Sequence, residues 1–287
     1  MSTHTATVGP ADHFEYLRHR VRFDPAAAPR LLAELLREDR AVEMPRDPQV
    51  WTALVEHGDS NTLARAVLSG LQPGQMQVLS LDAGLRFDCL DALERHAWAL
   101  VAEDRAPVLP PDGYPALLAE KVFEPLGMFA EAAALYALGH DDRDASGKPL
   151  DRLTRAVMCY RLARSLGRLA QDEPEWRSCA LELMASACHA CEPKSPERLG
   201  SDPTGLRLRL HGYQWLGARW AADGREAEAR QAFERAIRAA LELGEGELAV
   251  ALEAFSRYSL GPANDGVPVP TLPSPNRRPS SGSRSSR

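Results

Sequence analysis

Hydrophobic positions along this chain recur mostly at intervals of three and four residues, the period at which side chains share one face of a helix. That period predicts helices over residues 11–22 and 27–38, the second carrying Leu31, Leu32, Leu35 and Leu36 on one side after Pro29. Pro45 and Pro48 interrupt the pattern before a helix around residues 50–57. Another helix is expected next, capped by Asn61, with Leu63, Ala66 and Val67 facing inward and Gly70 at its end. Residues 77–81 read as a short strand, and residues 89–101 as a helix with Leu90, Leu93, Trp98 and Leu100 at core spacing. The proline-rich run 107–111 closes this block. The pattern divides the chain into an irregular helical N-terminal region (1–108), a helical hairpin region (109–260) and a tail (261–287). The tail is rich in Pro, Ser and Arg, has almost nothing to bury, and is expected to be disordered.

The clearest hairpin surrounds Asp223 and Gly224. Leu216 and Trp220 on one side, and Ala229, Phe233 and Ala236 on the other, fall at helical spacing, so two amphipathic helices face each other across a turn that Gly224 closes. Gly217 costs roughly 1 kcal/mol relative to Ala in a helix interior. Its presence implies a close approach of the second helix, with small Ala229 as the expected counterpart. On the outer side, Glu226 and Arg230, and Glu234 and Arg238, are spaced for solvated ion pairs.

The series Tyr213, Leu216, Gly217, Trp220, Ala229 and Phe233 resembles the signature of the tetratricopeptide-repeat family, with the family's usual Trp and Tyr exchanged between 213 and 220. The terminal Pro of that signature is missing; Leu241 occupies the region. A second copy aligns Phe123, Gly127, Ala130, Glu131, Ala132 and Tyr136 with Trp220, Gly224, Ala227, Glu228, Ala229 and Phe233. It departs from the pattern at Ala119 and Glu120, which stand where Leu216 and Gly217 stand in the final copy. A looser third unit places Leu166 and Gly167 on that pair, followed by a helix over residues 174–191. The units are unevenly spaced, with insertions at 140–150 and 192–204. The resemblance covers about residues 113–243 and implies an all-α fold, a right-handed α-α superhelix of irregular hairpins. It makes Phe123, Tyr136, Trp220 and Phe233 packing residues; a buried Trp220 would cost about 3 to 5 kcal/mol when cut back to Ala.

Composition agrees with a folded, helical chain. Hydrophobic residues make up 44% of it, enough for a substantial core, while aromatics are few and Ala and Leu abundant. A net charge of -6 argues against a main body that binds nucleic acid, and no stretch of about 20 apolar residues offers a membrane span. The polar first ten residues lack the apolar core of a secretory signal, and five cysteines without a regular framework read as reduced thiols, so the expected location is the cytoplasm. Delivery by a route that uses no such signal leaves no trace here and stays open.

Several clusters suggest chemistry. Asp142, Asp144, Ser146 and Gly147 follow the order of a calcium-binding loop, but Leu153 stands where the bidentate Glu is required, so a polar turn between helices is expected instead. Cys188, His189 and Cys191, with Cys179 nearby, lack the second ligand pair of a zinc site and read as small buried thiols. No nucleophile–base signature, phosphate-binding glycine loop or paired metal-binding histidines occur, so no catalytic residue, metal or cofactor is assigned. The tail arginines Arg277, Arg278, Arg284 and Arg287 are the place where nucleic acid or another acidic surface could be touched.

Arg161, Arg164 and Arg168 repeat at helical spacing. The register implied by Leu166 and Gly167 puts them on the face that lines the concave groove in the resembled family. A row of guanidiniums there suits an acidic peptide through bidentate contacts. The competing reading is a solvated cationic face paired with neighbouring Glu and Asp. The corresponding positions of the final unit are His211, Gln214 and Ala218, which do not reproduce the Lys and Asn pattern of repeats that clamp a chaperone's terminal carboxylate.

The expected function is a non-enzymatic adaptor, scaffold or chaperone that holds a protein or peptide partner through Arg161, Arg164, Arg168, His211 and Gln214. An unsealed repeat end also allows pairing with a second copy. Alternatives are an enzyme or delivered effector with a site in the N-terminal region, and a regulatory module contacting nucleic acid through its tail.

Overall fold

A computed structural model describes residues 24–27, 29–32, 48–72, 77–78, 83–106, 115–139, 151–192 and 202–260. The predicted helix at 11–22, most of that at 27–38, the boundary near 109, the calcium-loop-like segment and the tail lie outside the described residues. The described chain is helical apart from one pair of two-residue strands, so the all-α expectation holds. Among these residues no helix is long and apolar enough to cross a membrane.

Contacts divide the chain into two units, Met1–Ala190 and Cys191–Arg287. In the first, a short 3-10 turn, Pro25–Ala27, and helical residues 29–32 precede α1 (Pro48–His57) and α2 (Ser60–Ser69). Asp59, rather than Asn61, caps α2: its carboxylate accepts the Thr62 backbone N–H at 2.9 Å. Asn61 lies one residue inside the helix and accepts from Arg65 Nε at 2.7 Å. An antiparallel pair of strands follows, β1 (Leu71–Gln72) and β2 (Gln77–Val78), shorter than the strand predicted over 77–81.

Next come α3 (Ala83–Ala102) and α4 (Pro115–Leu118), which runs directly into a π-helical turn, Ala119–Phe123. Then follow α5 (Phe129–Gly139), α6 (Arg152–Leu169) and α7 (Trp176–Ala190). Every residue of α5 from Ala130 to Leu138 is buried, because α2, α3, α4, the π turn and α6 all pack against it. A helix apolar on all sides can only be a core helix. Five alanines among those positions let the neighbours approach closely. Helices α3 and α5, on either side of residue 109, thus share one core, and the structural division falls at 190/191.

The second unit contains α8 (Pro203–Ala222), α9 (Glu226–Glu242) and α10 (Gly246–Leu260). Asp202 caps α8 through the Thr204 N–H at 2.9 Å, and Pro203 opens it where no donor is lost.

One turn chemistry recurs. Gly127, Gly224 and Gly244 have φ of 74°, 71° and 77°. In each, the glycine N–H bonds the carbonyl three residues back (Glu124, Ala221, Leu241) and the following N–H bonds the carbonyl five back (Phe123, Trp220, Ala240). This is the Schellman closure, which satisfies two carbonyls that a helix end leaves open. Asp104 makes the same pair of bonds after α3 with φ 53°. The alignment of Gly127 with Gly224 therefore has a structural basis.

The close approach at Gly217 is present, but its counterpart is Phe233 rather than Ala229. A Cβ on Gly217 would stand 2.9 Å from the Phe233 ring. That ring cannot retreat freely, since it is fully buried and meets Phe255 edge-on at 5.8 Å. Trp220 is only half-buried, with Arg225 5.3 Å above its ring, so its removal should cost less than a core Trp; Trp51 is the fully buried one. The predicted pairs Glu226–Arg230 and Glu234–Arg238 do not form among the described residues, where the ion pair at the start of α9 is Arg225–Glu228 at 3.0 Å.

Gly217→Ala should lower stability by about 1 to 2 kcal/mol, because overpacking against Phe233 outweighs the gain in helix propensity. Urea denaturation measures this; a stabilised variant would show that the Phe233 ring yields.

Candidate functional site

The sequence brings two helical segments together around one cavity. Between α6 and the end of the π turn lies a space of about 310 Å³, lined by Glu120, Glu124, Pro125, Phe129, Arg164, Ser165 and Arg168. The π turn inserts one extra residue per turn, and such insertions often sit at functional sites because they re-aim side chains. Here it carries Glu120 and leads into Glu124. From the facing wall, α6 presents Arg164, Ser165 and Arg168, with Ser165 buried and the two arginines exposed.

The charges are held differently. Glu120 is ion-paired with Arg161 on α6 and with Lys121 at 2.8 Å. Burial works against its charge, but the hydrogen bonds from Lys121 and Arg161 win and hold its carboxyl below the usual carboxylate range. Arg161 is correspondingly held above its ordinary value: burial disfavours the cation, and its bond to Glu120 outweighs that. Arg161 therefore fastens α6 to the π turn.

Glu124 accepts the Tyr136 hydroxyl at 2.8 Å and the Ser165 hydroxyl at 3.3 Å, both on Oε1. Burial, then the adjacent Glu124 charge, push the Tyr136 phenol well above its ordinary value, so it remains a hydrogen-bond donor. Arg164 lies over the Tyr160 ring, 5.8 Å from its centre. Neither Arg164 nor Arg168 has an ion pair among the described residues.

Of the predicted partner-binding residues, then, the structure brings Arg164 and Arg168 to one cavity and engages Arg161 with Glu120. His211 and Gln214 lie half-buried on α8 of the second unit and are not among the cavity's lining residues. Sequence reasoning missed Glu120 and Glu124 as site residues, although Ala119 and Glu120 were where the second repeat copy broke its pattern.

The cysteine cluster has a different character. All five cysteines are free thiols. Burial pushes Cys159 up to about 12, and burial with a nearby carboxylate does the same to Cys89 and Cys179. Among the described residues no three side chains are grouped to hold a metal ion. His96, isolated in sequence, stacks on Phe123 with ring centres 6.1 Å apart.

No family model, curated protein or solved structure matches this chain.

At pH 8 a thiol with a pKa near 12 is thiolate about 10³-fold less often than a free one. The buried Cys89 and Cys159 should therefore react with a disulfide reagent roughly a thousandfold more slowly in the native protein than in urea. Native rates near the unfolded ones would contradict their burial.

The Glu120 pairing also predicts a pH dependence. Because its folded pKa is depressed, its contribution is fully present above the ordinary carboxylate value of about 4.3 and is lost as pH falls from there through the lowered value. The stability gap between the wild type and Glu120→Gln should close over that window in acid denaturation curves. A gap independent of pH would remove the pairing.

Proposed function

We propose that this chain is a non-enzymatic, cytoplasmic repeat protein of the tetratricopeptide-repeat type, an adaptor, scaffold or chaperone that receives an acidic segment of a partner protein on the arginine face of α6. The observation that carries this reading is the pair Arg164 and Arg168, exposed one helical turn apart at a cavity and without ion pairs among the described residues. Like charges at that spacing repel by a few tenths of a kcal/mol, and no carboxylate among the described residues pairs with either. A carboxylate entering from a partner does, through charge-assisted hydrogen bonds stronger than neutral ones.

Two further observations support the repeat reading. The recurring Schellman closures at Gly127, Gly224 and Gly244 give the hairpins a common punctuation. The burial of Phe123, Tyr136 and Phe233 suits their assignment as packing residues rather than contact residues. Free thiols throughout are at home in a reducing compartment.

Reversing both charges, Arg164→Glu with Arg168→Glu, should weaken capture of the natural partner from native lysate by at least roughly tenfold, with only a slight loss of melting temperature, since neither guanidinium is buried although the new carboxylates stand near Glu120 and Glu124. Arg161→Glu should instead lower the melting temperature, since it breaks the tie to Glu120. Quantitative mass spectrometry of captured proteins reads the first effect. Undiminished capture by the double variant would refute the α6 site.

A further inference from the structure

Glu120 and Glu124 stand on one wall of the α6 cavity but are not equivalent. Glu120 is neutralised by Lys121 and Arg161. Glu124 forms no ion pair among the described residues: its two hydrogen bonds come from the hydroxyls of Tyr136 and Ser165, both fall on Oε1, and Arg161 reaches it only through the shared Tyr136 hydroxyl. Its Oε2 has no hydrogen bond among the described residues. Arg168 forms neither an ion pair nor a side-chain hydrogen bond among these residues, and Arg164 is engaged by Tyr160, through its ring face and a side-chain hydrogen bond, but by no carboxylate. One small cavity thus contains a carboxylate and two guanidiniums that have not paired with each other.

The surroundings explain why they stay apart. Tyr136 is wholly buried in α5 and Ser165 almost so in α6, and together they hold Glu124 against the protein wall. The Tyr160 ring holds Arg164 on the other side. Side chains fixed this way need little ordering when a ligand arrives, which removes part of the entropic cost of binding. Pro125 and Phe129 supply apolar surface in the same cavity.

We propose that this cavity recognises a mixed-charge peptide segment, a Glu or Asp side chain accompanied by a nearby Lys. The acidic side chain docks on Arg164 and Arg168, the lysine ammonium donates to Oε2 of Glu124, and the aliphatic stem of the lysine rests on Pro125 and Phe129. This rests on the partner-binding reading above and narrows it. Two guanidiniums against one unpaired carboxylate make attraction of the ligand's acid the first requirement. Glu124 then discriminates: a wholly acidic segment leaves it facing like charge, whereas a segment with both signs satisfies every charged group in the cavity.

The test uses the full-length protein with arginine side chains labelled for NMR, titrated with acetyl-Glu-Ala-Ala-Lys-amide, acetyl-Glu-Ala-Ala-Glu-amide and free 6-aminohexanoate. The Glu/Lys peptide should move the Nε signals of Arg164 and Arg168 and bind roughly tenfold or more tightly than the Glu/Glu peptide, the scale of one charge-assisted hydrogen bond. In Glu124→Gln, which keeps an acceptor for Tyr136 and Ser165, the preference should vanish while the melting temperature holds. Equal or tighter binding of the Glu/Glu peptide to the wild type overturns mixed-charge recognition but leaves the acidic-partner reading standing. Binding of 6-aminohexanoate without binding of either blocked peptide overturns a peptide ligand in favour of a free amino acid. Absence of any shift at Arg164 and Arg168 with all three probes overturns the site, whereas the partner-binding reading is judged separately by capture with the charge-reversed protein.

Discussion

The first unit depends on a single constraint, the burial of α5 on every side. From Ala130 to Leu138 every position is buried, so polar groups along the helix depend on partners inside the protein. Glu131 receives the Ser60 hydroxyl from α2 on Oε1 at 3.0 Å, while its buried Oε2 has no hydrogen bond among the described residues. Tyr136 donates its hydroxyl to Glu124, which also takes Ser165 from α6. Leaving a buried phenol unpaired costs about 1 to 3 kcal/mol, so the need to satisfy Tyr136 fixes where Glu124 sits. The position of the cavity's unpaired carboxylate is thus a consequence of core packing one helix away.

The π turn is the second half of the same arrangement. Regular α-helix through Ala119–Phe123 would rotate Glu120 and Glu124 away from their present directions. With the π turn, Phe123 enters the core and stacks on His96, while Glu120 reaches Arg161 and Glu124 reaches Tyr136 and Ser165. The resulting cross-link leaves Arg164 and Arg168, farther along α6, facing the cavity without intramolecular ion partners among the described residues. Just past this C-terminal end of α6, Glu173 pairs with Arg65 and also receives the Trp176 indole N–H, which ties α2 to the α6–α7 turn. That polar lock supports the frame rather than a site.

The hairpin at 213–233 was legible because its signals are local: a helical period on each side, a glycine where φ must be positive, and a glycine where another residue collides. The identity of the collision partner was not, because Ala229 and Phe233 share a helix face and only packing decides which one meets Gly217. Surface charges were misread for a related reason. Spacing suggested Glu–Arg pairs four residues apart along α9, whereas the pairs that form are Arg225–Glu228 and Arg235–Glu192, and the same two arginines also lie over aromatic faces, Arg225 over Trp220 and Arg235 over Tyr213. The candidate site was half legible. Arginine periodicity on α6 revealed the cationic wall, but the acidic wall arises at a π turn, where the helical period on which such predictions rest is broken. The irregular match at Ala119 and Glu120 was its only trace, consistent with local rules failing where a structure is specialised.

The central claim is that the cavity bounded by the π turn and α6 receives a charged segment of another protein. The most direct measurement replaces Phe129 with a photo-crosslinking benzoylphenylalanine in the full-length protein, irradiates it in the cell, and maps the trapped peptide by mass spectrometry, with Phe87, 69% exposed on α3, as the control position. The account predicts a protein adduct specific to position 129, lost when Arg164 and Arg168 are reversed, with an acidic residue near the crosslinked site. Equal trapping from position 87, or an adduct at 129 that survives charge reversal, would contradict it.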